Sequence, residues 1–102
     1  MDSKAYTFRA KVWLYPGMAA WHFITVPKKQ SHAVKKTFHG MARGFGSLPV
    51  SVTIGATAWK TSIFPDTKVG SYLLPIKADV RKREKIAAGQ TVPVTLSVRV
   101  RF

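Results

Sequence analysis

Tyr6-Thr7-Phe8-Arg9-Ala10-Lys11-Val12-Trp13-Leu14 alternates apolar and polar side chains for most of its length. Phe8, Ala10, Val12 and Leu14 fall on one side, and Thr7, Arg9 and Lys11 on the other. A period of two is that of a strand with one face in a core and the other in water. The far end of the chain repeats the pattern: Val94, Leu96, Val98, Val100 and Phe102 alternate with Thr95, Ser97, Arg99 and Arg101. First and last strands of this kind pair with each other in small barrels, and that pairing is the expectation here.

The stretch between them fills out the barrel. Trp21 to Val26 reads as a second strand, ended by Pro27, whose missing N–H cannot continue a ladder. Ser31 is a good N-cap for a helix from His32 to about Ala42, with Val34, Phe38 and Met41 (or Ala42) at spacings of four and three and Gly44 and Gly46 closing it. Val50 to Ile54 alternates again, Gly55 breaks it, and Thr57 to Phe64 is its hairpin partner. Pro65-Asp66 opens a loop, and Tyr72 to Ile76 makes a strand with an edge or bulge at Pro75. Asp79 caps a short helix, Val80 to Ala88, which Gly89 stops; Val92 to Phe102 is the last strand. The fold class is therefore mainly β: a small closed or double-split β-barrel of six to seven strands with two short helices. At 102 residues, positions 1–102 form a single β-barrel domain.

Two portions of the chain share a pattern. Val26-Pro27-Lys28-Lys29, Val34-Lys35-Lys36, a glycine stop and Pro49-Val50-Ser51-Val52 are matched by Leu74-Pro75-Ile76-Lys77, Val80-Arg81-Lys82, Gly89 and Pro93-Val94-Thr95-Leu96. Each reads strand, proline with lysine, helix opening on Val-basic-basic, glycine, Pro-Val strand. Any strand–helix–strand unit needs a cap, a glycine stop and β-branched residues, so shared architecture accounts for the pattern as readily as duplication does.

Composition prunes the chemistry. Seventeen Lys and Arg face four acids, for a formal charge of +13, and there is no cysteine. Without cysteine there is no disulfide framework or thiol nucleophile, which suits a reducing compartment. No apolar run approaches a membrane span and no basic-then-apolar leader opens the chain, so the expectation is a soluble, cytoplasmic monomer. Asp2, Asp66, Asp79 and Glu84 are too few and too scattered for paired-carboxylate catalysis or an oxygen-rich cation site. His32 and His39 would lie two helical turns apart, about 10 Å, too far for one metal ion. Gly44-x-Gly46 lacks the lysine of a phosphate loop, and no spaced acid–base–nucleophile set accompanies the serines. The reading is non-enzymatic, with no cofactor and no metal.

The cations point to a partner. Arg81, Lys82, Arg83 and Lys85 crowd the second helix, while Arg9, Lys11, Arg99 and Arg101 lie on the outward faces of the terminal strands. If those strands pair, the latter four share one sheet face, where like charges repel unless a polyanion meets them. Nucleic acid is the first such partner, through counterion release, with interleaved aromatics stacking on bases. The same charges also serve solubility and the protection of strand edges. The alternative reading is a module for a small molecule or protein partner at the barrel mouth, near Trp21, Trp59 and Tyr72.

Two stretches carry a resemblance. Trp59-Lys60-Thr61-Ser62-Ile63-Phe64-Pro65, and Tyr72-Leu73-Leu74-Pro75-Ile76-Lys77 followed by Val80-Arg81-Lys82 and the Gly89 turn, resemble the bacterial and archaeal domain-of-unknown-function family numbered 1905. The resemblance runs from Tyr6 to about Val100. It implies a small closed β-barrel, found in some longer chains ahead of a bacteriocin-protection-type domain, and it implies no catalytic residue. Leu74-Pro75-Ile76-Lys77 through Val92 is also similar to the half-barrel of swapped-hairpin transition-state regulators and antitoxins, with Gln90 where that family has Asp. Those proteins build one barrel from two chains; an internal repeat would let one chain supply both halves.

Overall fold

The computed structural model describes residues 4–17, 21–42 and 44–99, with His39 in its backbone alone. Six strands close a barrel: β1 (Ala5–Leu14), β2 (His22–Thr25), β3 (Leu48–Ile54), β4 (Thr57–Asp66), β5 (Ser71–Pro75) and β6 (Thr91–Val98). Around the ring the order is β1-β2-β5-β4-β3-β6, every neighbour antiparallel. Helix α1 (Lys28–Phe38) follows β2, and α2 (Ala78–Glu84) follows β5. The barrel is thus of six strands, and the terminal strands do pair, from Ala5↔Ser97 to Lys11↔Thr91.

Alternation places the core. Tyr6 and Val12 of β1, Val50 and Val52 of β3, Val94 and Leu96 of β6 are buried, while Thr7, Arg9 and Lys11 face outward. Ile24, Ile63 and Leu74 complete the barrel centre, and Val34 and Phe38 from α1 and Val80 from α2 close its ends. Leu14, expected inside, is exposed: β1 has there left β6 for β2 and lies opposite His22 at the rim.

The two ten-residue strands each change partner. β1 pairs with β6 through Lys11 and with β2 from Val12 to Leu14. β4 pairs with β3 through Ile63 and with β5 from Phe64 to Asp66. Pro65, expected to end the strand, stays inside it opposite Tyr72. Among the described residues, the first half of β4 pairs on its β3 side alone, so β4 and β5 part company beyond Phe64.

The repeat is architectural. Advancing residue numbers by 50 turns the pair Phe23↔Pro75 into Leu73↔Thr25 and leaves Ile24↔Leu74 in place. The same shift exchanges the bonds Val26 N–H to Tyr72 O and Ile76 N–H to His22 O, and relates Ser31 N–H to Pro27 O with Arg81 N–H to Lys77 O. With the offset at 51 for the long strands and 42 between β6 and β3, Trp13↔Phe23 falls on Phe64↔Leu73, and Ala10↔Val92 on Thr61↔Val50. The molecule is a pseudo-two-fold ring of two strand–strand–helix–strand halves. The register differs from that of the sequence pattern: Val26 corresponds to Ile76 instead of Leu74, and Ser31 to Arg81. The halves also differ in substance, since α1 has eleven residues and α2 seven.

Both helix starts lie before the expected caps. α1 begins at Lys28, and Ser31 is buried in its first turn, its hydroxyl donating to Val26 O and accepting the Tyr72 N–H. α2 begins at Ala78 with Lys77 at the N-cap position, so Asp79 sits inside the first turn. It ends at Glu84, with Lys85 left-handed, before Gly89 is reached. Gly89 lies in the turn before β6, donating its N–H to Val12 O at 2.7 Å.

Candidate functional site

The parting of β4 from β5 opens a cavity of about 710 Å³. Trp59 and Thr61 stand at inward positions of β4, opposite Val52 and Val50, and are reachable from outside only because no strand covers that flank. Outward residues supply the opposite wall: Phe64 of β4, Leu73 and Pro75 of β5, and Phe23 of β2, which are cross-strand neighbours. Ala78 and Arg81 of α2, with Ile76 and Lys77 just before it, form the roof, and His22 and Trp21 the outer rim.

A ring cluster stiffens the wall. Phe23 touches Trp13 (centroids 5.4 Å apart), Tyr15 (5.8 Å) and Trp21 (6.3 Å). Tyr15 also meets Trp21, and Trp13 is fixed by its indole N–H donating to Thr25 Oγ1 at 3.0 Å. Such tilted and edge-on contacts stabilise beyond the area they bury. Trp21 is the most open of the four at 54% exposure and belongs to both the cluster and the cavity rim.

Helix α2 is anchored at both ends. Arg81 Nε–H donates to Ile76 O at 3.2 Å, and Thr57 Oγ1 donates to the Glu84 carboxylate at 2.6 Å. Lys77 and Asp79 make a loose, exposed ion pair at 4.0 Å, a geometry that contributes little. The lining residues are mostly apolar, with Thr61, His22, Lys77 and Arg81 as the polar members and no acid among those described.

Of the mouth residues read from the sequence, Trp21 and Trp59 meet in this cavity and Tyr72 does not. Tyr72 is 5% exposed, at an inward position of β5 beside α1, its backbone tied to Ser31 and Val26. Burial holds its phenol above the usual tyrosine pKa. Of the helix cations, Arg81 lines the cavity, while Lys82, Arg83 and Lys85 are exposed and do not. Of the four strand cations, Arg9, Lys11 and Arg99 share the outward phase of the paired terminal strands but stand at different levels along them. Arg9 stands opposite Pro93 and Lys11 opposite Thr91, whereas Arg99 lies beyond the other end of β6. Six residues of strand, roughly 20 Å, separate the level of Arg9 from that of Arg99. Arg101 lies outside the described residues.

Phe23, Phe64, Leu73 and Pro75 were missed because an outward strand position reads as a solvent face. The available signal was apolar residues in both phases, as in Trp21-His22-Phe23-Ile24 and Ile63-Phe64. No helix among the described residues is long and apolar enough to cross a membrane. No curated protein matches the chain. The Domain of unknown function (DUF1905) matches it across residues 8–96, a span that takes in β2 to β5, both helices and most of β1 and β6. The chain belongs to the DUF1905 family.

Proposed function

We propose that this domain is a binding module that takes an apolar small molecule into the cavity between β4, β5 and α2. The observation that carries the reading is a cavity of about 710 Å³ walled by Phe23, Trp59, Phe64 and Leu73. Ligand pockets run about 300–1,000 Å³ and are lined in this manner, aromatic and aliphatic with few polar groups. A closed barrel with a filled core has no folding need for such an opening, and the ring cluster around Phe23 holds its wall in place before any ligand arrives.

The test is a titration with N-phenyl-1-naphthylamine, a neutral fluorophore that brightens in apolar surroundings. Saturable one-site binding is expected. Ala78→Trp, at an exposed position on the roof, fills the opening without removing a core contact, and tenfold or greater weakening is expected. Unchanged affinity in that variant, with an unaltered circular dichroism spectrum, refutes the reading.

A polyanion surface is less well supported. The strand cations lie apart, leaving Lys82, Arg83 and Lys85, exposed on and just after α2, as the group read for it that stays together. Duplex DNA affinity that falls with salt at a slope of about −0.9 per phosphate contacted, and that these three positions control, would favour it.

A further inference from the structure

We propose that the cavity takes a short extended peptide, which adds a strand to the open edge of β4 and turns its apolar side chains inward. The inference rests on the cavity reading above and names the class of ligand. It comes from where the backbone groups of β4 point. Along a strand, the N–H and C=O of successive residues point to opposite flanks. Pro49 O accepts the N–H of Arg99, next in line after β6, so Pro49 and Ser51 face β6 while Val50 and Val52 face β4. Val50 and Val52 stand opposite Thr61 and Trp59, whose backbone groups therefore serve the β3 ladder. Those of Lys60 and Ser62 point to the other flank, in phase with Phe64, which meets Leu73 of β5. Beyond that pair β5 has turned to β2, and the backbone groups of Lys60 and Ser62 meet no hydrogen-bond partner among the described residues.

A bare strand edge offers donors and acceptors at a fixed spacing, which an extended peptide matches and a compact apolar molecule does not. This edge is bounded. Phe64↔Leu73 closes it at one end, and Thr57, held to the Glu84 carboxylate of α2, closes it at the other. Ala58 to Ile63 remain, roughly 20 Å of strand and room for about five paired residues. A strand added there would run about 4.8 Å from β4, on the flank where Trp59 and Thr61 line the cavity.

The register dictates the peptide's sequence. Residues directly opposite each other in a ladder share a face of the sheet. Those opposite Trp59 and Thr61 turn inward, into an apolar space, and are apolar themselves. The residue opposite Lys60 turns outward beside an exposed ammonium group, and opposite charges across a ladder attract. The pattern is therefore apolar–acidic–apolar. Lys77 at the roof is only loosely paired with Asp79 and adds to the positive field, as does the formal charge of +13. Lys60 also argues against a second copy of this chain as the occupant. Two β4 edges pairing antiparallel about that residue would set two ammonium groups face to face.

The experiment titrates the blocked pentapeptide acetyl-Thr-Leu-Glu-Leu-Thr-amide by calorimetry and in competition with N-phenyl-1-naphthylamine. One-site binding that displaces the probe is expected. Methylating the glutamate nitrogen removes the donor that faces Lys60 O and is expected to weaken binding at least tenfold. Acetyl-Leu-Thr-Glu-Thr-Leu-amide, of the same composition with its leucines in the outward phase, is expected to bind at least tenfold more weakly as well. Lys60→Glu, at an exposed outward position, is expected to reverse the preference, so that the peptide with lysine at its centre binds more tightly than the one with glutamate. A peptide that fails to displace a probe bound at one site overturns the assignment and leaves the cavity reading standing. So does equal affinity for the methylated peptide, or a charge preference that Lys60→Glu leaves unchanged. A dimer in sedimentation that takes up no peptide overturns it too, the edge then belonging to a second copy. Failure of the neutral probe to bind at one site refutes the cavity reading, and the peptide assignment with it.

Discussion

Replacing Gly55 by Ala tests how the hairpin and helix that flank the cavity are locked together. Gly55 turns β3 into β4 with φ of 59°, a left-handed value that costs a residue with a Cβ about 1–2 kcal/mol. A Cβ built there also meets the Glu84 carboxylate in a forbidden overlap, so the carboxylate must leave. Glu84 then loses its 2.6 Å bond from Thr57, and a hydrogen bond to a charged group is worth about 1.5–3 kcal/mol. Gly55→Ala is therefore expected to cost about 2.5–5 kcal/mol, and Glu84→Ala alone about 1.5–3. With Glu84 already gone the clash has no object, and Gly55→Ala should then cost only its backbone share of about 1–2 kcal/mol. The assay is urea unfolding of the wild type, both single variants and the double, with midpoints compared at constant slope. Gly89→Ala is the control: it has φ of 93°, but its Cβ meets nothing within 4 Å, so a strain cost without coupling to Glu84 is expected. If Gly55→Ala costs the same with and without Glu84, the carboxylate does not hold that turn and the reasoning fails.

Two further outcomes follow from buried phenols. The Tyr6 hydroxyl is buried without a hydrogen-bond partner among the described residues, so Tyr6→Phe should stabilise the fold by about 1 kcal/mol, read as a rise in Tm of about 4–8 °C; a fall of that size would refute it. Burial raises the Tyr72 pKa above 10.0 in the folded state, so the folded protein holds that proton more tightly than the unfolded chain. That contribution to stability is complete below the unfolded value and is lost as pH rises through the folded one. Tyr72→Phe should flatten the fall in Tm between pH 9.5 and 11.5, beyond what lysine titration produces in both proteins, and an identical slope would contradict the assignment.

The barrel was legible because its strands obey a two-residue period wherever one face is wet. Val50 to Ile54 and Val94 to Val98 read correctly for that reason, and their inward residues are buried as expected. Helix starts were less legible, because capping is inferred locally while Ser31 answers to a distant residue. Its hydroxyl bridges Val26 O and the Tyr72 N–H, a bond across 41 positions, and is unavailable for a cap. Pro65 reads as a strand end from its missing N–H, yet it keeps its place opposite Tyr72. The cavity depends on where β4 changes partner, between Ile63 and Phe64. Nothing local marks that point, since the residues on both sides of it are strand-forming and apolar.

The pseudo-two-fold explains why this molecule has a place for a site at all. Two strand–strand–helix–strand halves close one ring only if each long strand serves both sheets, and each change of partner leaves a gap beside a helix. Two gaps of equivalent origin therefore arise. The first lies by α1, which is longer, and whose Ser31, Val34 and Phe38 are buried. The second lies by α2, which stops at Glu84 and contributes Val80 alone as a buried residue, leaving Trp59 and Thr61 accessible. If both gaps only had to be closed, one solution would serve twice, and the chain already contains it in Ser31 and Tyr72. The half that departs from that solution does so at His22 and Arg81, the residues that give the opening its polar end.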